Sequence, residues 1–374
     1  MSNKKKIAFV SNGTYSLYNF RMGVIRHFAQ KYEVVVIAPE DEYAVFFKNE
    51  GIRFIPIPLN VKTAGLMDDL RLIKSFYNIY KAEKFDLICH YSIKAIIYGS
   101  LVSSFLSLNN IVITTGLGII FMTDSLKNRI IKLLYKFAIR NVNEVWFINH
   151  DDYNEFIKNH FVKKEKTYLL NSEGVNTEYY SEMPKSNEDG SFTFLLMSRL
   201  MPEKGVREYM QAAKKLKPKY PNMRFMMLGK IDLGTKNNIT NEELNEWVKE
   251  GYIDYRGYFL EVRQFIADSD CVVLPSYREG VPRCLMEAMS MKKPIIASNC
   301  IGCVELIQDG VNGYMCETKS ADDLADKMER FYMLPQEKRD AMGEAGREFI
   351  IRKHDEKLVA QCYEKRLKRY LETD

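Results

Sequence analysis

Two glutamates eight apart, Glu279 and Glu287, bracket a turn and a helix start in the stretch SYREGVPRCLMEA, residues 276–288. The stretch follows an apolar strand, Cys271 to Leu274. Gly280 permits backbone to approach a ligand closely, and Pro282 suits the first turn of a helix. The leading N–H groups of that helix, on Arg283, Cys284 and Leu285, lack intrahelical acceptors and would face a phosphate. Glu279 then lies in the loop on the sugar side of that phosphate. Glu287 lies about one turn inside the helix and can accept hydrogen bonds from two ribose hydroxyls. A second turn, MSRLMPEKG at 197–205, sets Arg199 and Lys204 between an apolar strand and a helix start. Two fixed cations beside a helix N-terminus suit a diphosphate. Helix capping by acids would explain Glu279, but not an acid at Glu287 inside the apolar run Leu285 to Met291.

The first half carries a different set. Ser11-Asn12-Gly13-Thr14-Tyr15 follows the first strand, where a glycine turn lets a substrate approach. Arg21 sits near the start of the next helix and is a candidate for an acceptor phosphate. His90 and Lys94 flank a strand end. Either could hold a phosphate, and His90 could relay a proton. Thr115 and Gly116 open a loop, Thr115 to Gly118, at the end of the strand Ile111 to Thr114.

These residues need a scaffold that brings strand ends together. The chain has 374 residues, too many for one compact core of ordinary size. Hydrophobic content of 46% and charged content of 28% are those of a globular protein. A net charge of +5 is too weak to mark a nucleic-acid binder. Wholly apolar strands alternate with helices: 6–11, 33–38, 52–56, 87–90, 111–114 and 144–148, then 192–197, 224–228, 271–274 and 294–297. That pattern predicts parallel sheets covered by helices on both faces. A polar break, EMPKSNEDGS at 182–191, divides the series. The expected fold is α/β, with two Rossmann-like doubly wound domains facing a cleft and ligands beyond the strand ends.

Several other functions are set aside. Residues 1–6 carry lysines, but Ile7 to Val10 is too short for a signal sequence. The uncharged run Ala95 to Thr123 is broken by polar residues and Asn109-Asn110, so it reads as helix, turn and strand rather than a membrane span. Seven scattered cysteines form no disulfide framework, and Cys300-Ile-Gly-Cys303 lacks a second pair at zinc spacing. Asp268-Ser-Asp270 looks like a metal motif but precedes a buried strand instead of ending one. No G-x-G-x-x-G follows the first strand, which argues against an NAD-dependent oxidoreductase.

Glu279 and Glu287 resemble the E-x7-E motif of retaining glycosyltransferases of the GT-B fold, in particular glycosyltransferase family 4. Ser198-Arg199-Leu200 with Glu203-Lys204-Gly205 is similar to that family's diphosphate site, with Ser in place of the first Gly. Glu305-Leu-Ile and Asp309-Gly-Val-Asn-Gly313 resemble the run that follows the motif. Tyr18-Asn-Phe-Arg-Met22, Tyr91-Ser-Ile-Lys94, Tyr98-Gly99 and Thr115-Gly-Leu-Gly118 look like a subgroup that builds bacterial surface glycans. The likeness spans residues 6 to 330.

The resemblance implies roles. Arg199 and Lys204 would stabilise the leaving nucleoside diphosphate, Glu279 would contact donor-sugar hydroxyls, and Glu287 the ribose. Gly280, Val281 and Leu285 would meet sugar and phosphate through backbone, and Tyr258 the base. Arg283 would read a sugar hydroxyl or the phosphate, and Gly13 joins the donor side. Asn12, Arg21, His90, Lys94, Thr115 and Gly116 form the expected acceptor set. The implied donor is a UDP-sugar, with no metal or other cofactor, and the implied acceptor a polyprenyl-diphosphate-linked or other lipid-linked glycan. The implied domains are an acceptor domain at 1–181, a donor domain at 182–350, and a helix at 351–374 crossing back to the first. Helix 124–140 carries Arg129, Lys132, Lys136 and Arg140 beside Ile130, Ile131, Leu134, Phe137 and Ala138. It suits an anionic membrane surface, which implies a cytoplasmic enzyme peripheral on the inner face of the cytoplasmic membrane. The competing readings are an inactive nucleotide-binding protein of the same fold, which would be expected to break the Arg199, Lys204, Glu279, Glu287 set, and a nucleotide-sugar epimerase.

Overall fold

The computed structural model describes residues 4–59, 65–117, 121, 125–186, 189–231 and 238–372. The chain forms two compact units, unit 1 being Met1–Gly174 with Glu356–Asp374, and unit 2 Val175–Asp355.

Unit 1 is built on seven strands: β1 (Lys6–Val10), β2 (Glu33–Ala38), β3 (Arg53–Pro56), β4 (Leu87–Tyr91), β5 (Asn110–Thr114), β6 (Glu144–Phe147) and β7 (Thr167–Leu169). Their order is β3-β2-β1-β4-β5-β6-β7, and each pairing is parallel. The helices between them are α1 (Thr14–Ala29), α2 (Ala44–Asn49), α3 (Leu66–Glu83), α4 (Ser100–Phe105, continuing a π-helical turn over Ala95–Gly99), α5 (Leu126–Ala138) and α6 (His150–Lys158). The central strands are buried along nearly their whole length. This is why they read as unbroken apolar runs rather than alternating ones.

Unit 2 repeats the plan with β8 (Phe192–Met197), β9 (Met223–Leu228), β10 (Asp254–Gly257), β11 (Cys271–Leu274), β12 (Ile295–Ser298) and β13 (Gly313–Cys316). The order is β10-β9-β8-β11-β12-β13, again wholly parallel. Its helices are α7 (Val206–Leu216), α8 (Asn241–Lys249), α9 (Arg263–Asp268), α10 (Arg283–Ser290), α11 (Ala321–Tyr332) and α12 (Gln336–His354).

Three strands have no counterpart in the sequence pattern: β7, β10 and β13. All three are edge strands. Two of them, β7 and β10, are also partly solvated and so carry a weaker apolar signal, whereas β13 is largely buried but short and opens on a glycine. The chain passes from unit 1 to unit 2 at Gly174, before the polar stretch 182–191. Within it Lys185 pairs with Asp270 at 2.5 Å, and the Ser186 N–H donates to Asp268 at 2.6 Å, both in unit 2. Gly174 has φ +78, and a Cβ there would sit 2.9 Å from the Cα of Glu356.

The last helix, α13 (Glu356–Leu371), belongs to unit 1. Tyr363 stacks edge-on against Trp146 at 4.8 Å and hydrogen-bonds the hydroxyl of Tyr91 at 3.1 Å. Arg366 and Tyr370 donate to the buried carboxylate of Glu144 at 2.7 and 2.8 Å, and the Trp146 indole N–H donates to it at 2.8 Å. A buried carboxylate is tolerated when its oxygens are satisfied in this way.

No described helix is long and apolar enough to cross a membrane. The residues of α5 divide differently from the sequence reading, and Asp124, the start expected for this helix, lies outside the described residues. Tyr135 and Ala138 point inward, while Leu126, Ile130, Leu133, Leu134 and Phe137 are exposed. The exposed positions follow three-four spacing and form one stripe.

Candidate active site

The two turns singled out in unit 2 are adjacent, because β8 and β11 are neighbours at the centre of the sheet. After β8 come Arg199, a short 3-10 turn over Pro202–Lys204, and then α7. Gly205 takes φ +70 between them, and a Cβ there would lie 2.0 Å from the carbonyl oxygen of Pro275. Only glycine lets the two turns come this close. The Tyr277 N–H donates to the Glu203 carbonyl at 2.9 Å, and the Tyr277 hydroxyl to Glu208 at 2.6 Å.

This contact brings Lys204 to Glu279. Lys204 Nζ pairs with Glu279 Oε1 at 2.5 Å, and the Ser276 hydroxyl donates to the same oxygen at 2.6 Å. The Glu279 backbone is held as well: its N–H donates to the Ile301 carbonyl at 2.9 Å. Gly302, at φ +85, abuts the carbonyls of Glu279 and Gly280. Arg199 is exposed on the same turn as Lys204.

Helix α10 starts at Arg283, with Pro282 as the residue before it rather than inside its first turn. Arg283 Nε pairs with Glu287 Oε1 at 2.8 Å, one turn along. Leu285 is buried and Val281 nearly so, which leaves their backbone to the site. Tyr258 follows β10 with the Lys230 ammonium 4.2 Å from its ring centroid. The reading from sequence did not include Ser276 or Tyr180. The Tyr180 hydroxyl hydrogen-bonds Glu287, and burial, reinforced by that carboxylate, pushes its pKa up. Tyr180 precedes the first strand of unit 2 and lies far from the motif in sequence, so no spacing signals it. Ser276 was legible as the second residue past β11.

Unit 1 brings together a different group. Ser11 follows β1 and Ser92 follows β4, and their hydroxyls hydrogen-bond at 2.8 Å. The Asn12 N–H donates to Ser92 at 3.1 Å. Ser92 holds φ +66, an uncommon conformation for a residue with a side chain. Gly13 has extended backbone, and a Cβ there would meet nothing within 4 Å. It lies in unit 1, whereas the other residues of the expected donor set lie in unit 2. Lys94 is partly exposed and pairs with Asp69 at 3.1 Å. Thr115 and Gly116 follow β5 and are half-buried, and Gly118 lies outside the described residues.

Two expected acceptor residues are corrected by burial. Arg21 is 3% exposed, ion-paired with Glu173, and stacked 4.2 Å from the Tyr91 ring centroid. Its Nη1 also donates to the Ser16 carbonyl at 2.6 Å. The guanidinium is a structural cation of the core under α1, not one presented to a phosphate. His90 is wholly buried, with Nε2 3.0 Å from the Tyr80 hydroxyl. Burial pulls its pKa down to about 3, so the imidazole is neutral and enclosed. It packs the interior of unit 1, which removes it as a phosphate ligand or proton relay.

The remaining motif look-alikes have structural partners. Asp268 accepts from Ser186 and Gln264, and Asp270 from the Thr193 N–H at 2.8 Å and Lys185. Among the described residues no three His, Cys, Asp or Glu side chains are grouped to hold a metal. Cys300 and Cys303 are free buried thiols joined by a hydrogen bond, which pulls the Cys300 pKa down and pushes that of Cys303 up.

Residues 181–349 match the family described as glycosyl transferases group 1, and residues 6–149 the family described as glycosyl transferase 4-like. The chain is 27% identical over 378 residues to the N,N'-diacetylbacillosaminyl-diphospho-undecaprenol alpha-1,3-N-acetylgalactosaminyltransferase of Campylobacter jejuni, covering 96% of this chain and 97% of that one. It is 24% identical over 318 residues to the Escherichia coli UDP-Gal:alpha-D-GlcNAc-diphosphoundecaprenol alpha-1,3-galactosyltransferase, covering 80% of each. In fold it is similar to a glycosyltransferase from Rickettsia africae, with TM-score 0.81, 20% identity and full coverage of both chains. Anabaena HepE in complex with UDP superposes with TM-score 0.79 and 19% identity, over 97% of this chain and 100% of that one.

Proposed function

The chain belongs to the two-domain glycosyltransferases of the GT-B fold, and we propose that it is a retaining enzyme using a UDP-sugar. It moves a hexose or N-acetylhexosamine to a polyprenyl-diphosphate-linked or other lipid-linked glycan during assembly of a bacterial surface glycan. The observation that carries this reading is the convergence of Lys204, Glu279, Ser276 and the start of α10 in two adjacent strand-to-helix turns. The names of the Campylobacter and Escherichia relatives, both of which act on sugars linked to a diphospho-undecaprenol, support the acceptor class.

The donor diphosphate lies at the N-terminus of α10 between Arg199 and Lys204. Glu279 accepts from hydroxyls of the transferred sugar, and Glu287, held by Tyr180 and Arg283, accepts from the ribose. Gly280 and Val281 contribute backbone, and Tyr258 stacks on the base. In the transfer step the bond from the anomeric carbon to the phosphate oxygen breaks, and negative charge builds on the diphosphate. Arg199, Lys204 and the helix N–H groups stabilise that charge, and no metal is required in this scheme. The acceptor hydroxyl forms its new bond on the face the diphosphate leaves, and a phosphate oxygen takes its proton. The products are UDP and the extended glycan, with configuration retained and no protein nucleophile.

Acceptor recognition is assigned to the strand ends of unit 1, at Asn12, Lys94, Thr115 and Gly116. The exposed stripe of α5, flanked by Lys127, Arg129 and Lys136, rests on the anionic inner face of the cytoplasmic membrane. A transfer assay tests the reading, using UDP-galactose, UDP-glucose, their N-acetyl forms and GDP-mannose with undecaprenyl-diphosphate-linked acceptors. An α-linked product from an α-linked donor is expected with one of them. A β-linked product would remove retention, and sugar transfer from GDP donors alone would remove UDP. Sedimentation with vesicles containing phosphatidylglycerol tests the membrane face: Leu133→Ser with Phe137→Ser should release the protein, and equal binding by the variant would exclude α5.

A further inference from the structure

The ammonium assigned to the diphosphate and the carboxylate assigned to the sugar hold each other within the protein, at 2.5 Å. A diphosphate that reaches Lys204 competes with Glu279 for it. We propose that Lys204 and Glu279 form an exchange pair: the donor's diphosphate takes Lys204 while its sugar hydroxyls take Glu279. The two ends of the donor then bind cooperatively, and a nucleotide that has lost its sugar is driven off. This rests on the reading of unit 2 as a UDP-sugar site.

The surroundings favour exchange over a permanent bridge. Both side chains are mostly enclosed, at 19% and 12% exposure, so a carboxylate stripped of its cation is costly unless other donors replace it. Sugar hydroxyls can replace it, and UDP alone has none to offer at that position. Ser276 donates to the same Oε1 and keeps the carboxylate aimed while Lys204 leaves, which makes Ser276 a positioning residue. The turns that carry the pair are packed closely, with Gly205 against Pro275 and Gly302 against Glu279 and Gly280. The neighbouring pair, Arg283 with Glu287, differs. Ribose hydroxyls are neutral and can join Glu287 without taking Arg283 away.

Calorimetry with UDP, UDP-galactose and UDP-N-acetylgalactosamine distinguishes the possibilities. Glu279→Gln keeps shape and can still bond Ser276. It should bind UDP about fivefold more tightly than wild type, and its preference for nucleotide-sugar over UDP should fall about tenfold. In a Lys204→Met background the same substitution should tighten UDP binding distinctly less. An equal gain in that background would mean simple repulsion between Glu279 and phosphate, and would overturn the exchange. So would unchanged or weaker UDP binding by a Glu279→Gln protein that melts like wild type. Wild type that binds neither UDP nor a UDP-sugar would instead remove the donor-site reading on which the exchange depends.

Discussion

Unit 1 and unit 2 share a sheet order and differ in what they do with it. In each, the first and fourth strands lie side by side, β1 with β4 and β8 with β11. At that point the winding direction reverses, and ligands of such sheets bind just beyond it. Unit 2 keeps charge there, as Lys204 against Glu279 and Arg283 against Glu287. Unit 1 joins its two turns by a neutral bond, Ser11 to Ser92, and draws Arg21 and His90 into its interior. The same scaffold thus carries charged pairs beyond its central strands in one unit. In the other it offers hydroxyls, open backbone at Gly13 and a lysine already paired with Asp69.

The sharpest way to break this contrast is to delete one cation from each unit. Lys204→Ala should lower kcat/KM by about a hundredfold or more and cost only about 1–2 kcal/mol of stability, because Ser276 still donates to the carboxylate it leaves behind. Arg21→Ala should instead destabilise unit 1 by about 3–5 kcal/mol, since it leaves Glu173 enclosed without its guanidinium. A stable, folded and inactive Arg21→Ala protein would return Arg21 to the site.

Glycine replacements give the next largest separation. Gly205→Ala forces a Cβ against Pro275 at positive φ and should cost about 2–3 kcal/mol or more in urea unfolding. Gly13→Ala has space and extended backbone, and its stability should stay within about 0.5 kcal/mol. A fall in activity for a fully stable Gly13→Ala would mark that opening as substrate space.

The buried imidazoles predict a pH dependence. Burial lowers the pKa of His90 to about 3 and of His354 to about 4. Below the unfolded value of about 6.5, the unfolded chain binds protons that the folded one refuses. Stability contributed by these groups is therefore whole above about pH 6.5 and falls as pH drops toward 4, by about 1.4 kcal/mol per unit for each. Urea midpoints measured from pH 7.5 to 4.5 check this. A flat profile would mean that both imidazoles, His90 in unit 1 and His354 in unit 2, reach solvent.

A modest effect on binding belongs to Tyr180→Phe, which removes one hydrogen bond to Glu287. UDP affinity should weaken about fivefold, measured by calorimetry, with the fold intact. No change would leave Glu287 held by Arg283 alone.

Much of this molecule is written locally. Apolar runs such as Cys271 to Leu274 marked the central strands, because a strand buried on both faces needs apolar residues throughout. The turns after β8 and β11 were legible as well, since an acid, a glycine, a proline and a helix start follow one another in sequence. The edge strands β7, β10 and β13 were not, the first two because partly solvated residues carry little pattern and β13 because it is a buried run of four residues opening on a glycine. Nor was the fate of Arg21, His90 or Tyr180. Sequence by itself determined the two parallel sheets, their central strands and the kinds of residue at each turn. Tertiary structure alone decided that Lys204 meets Glu279 across Gly205, that Tyr180 reaches Glu287, and that Arg21 and His90 face inward. Strand and turn signals arise from neighbours along the chain, whereas burial and pairing depend on which distant segments the sheet order sets side by side.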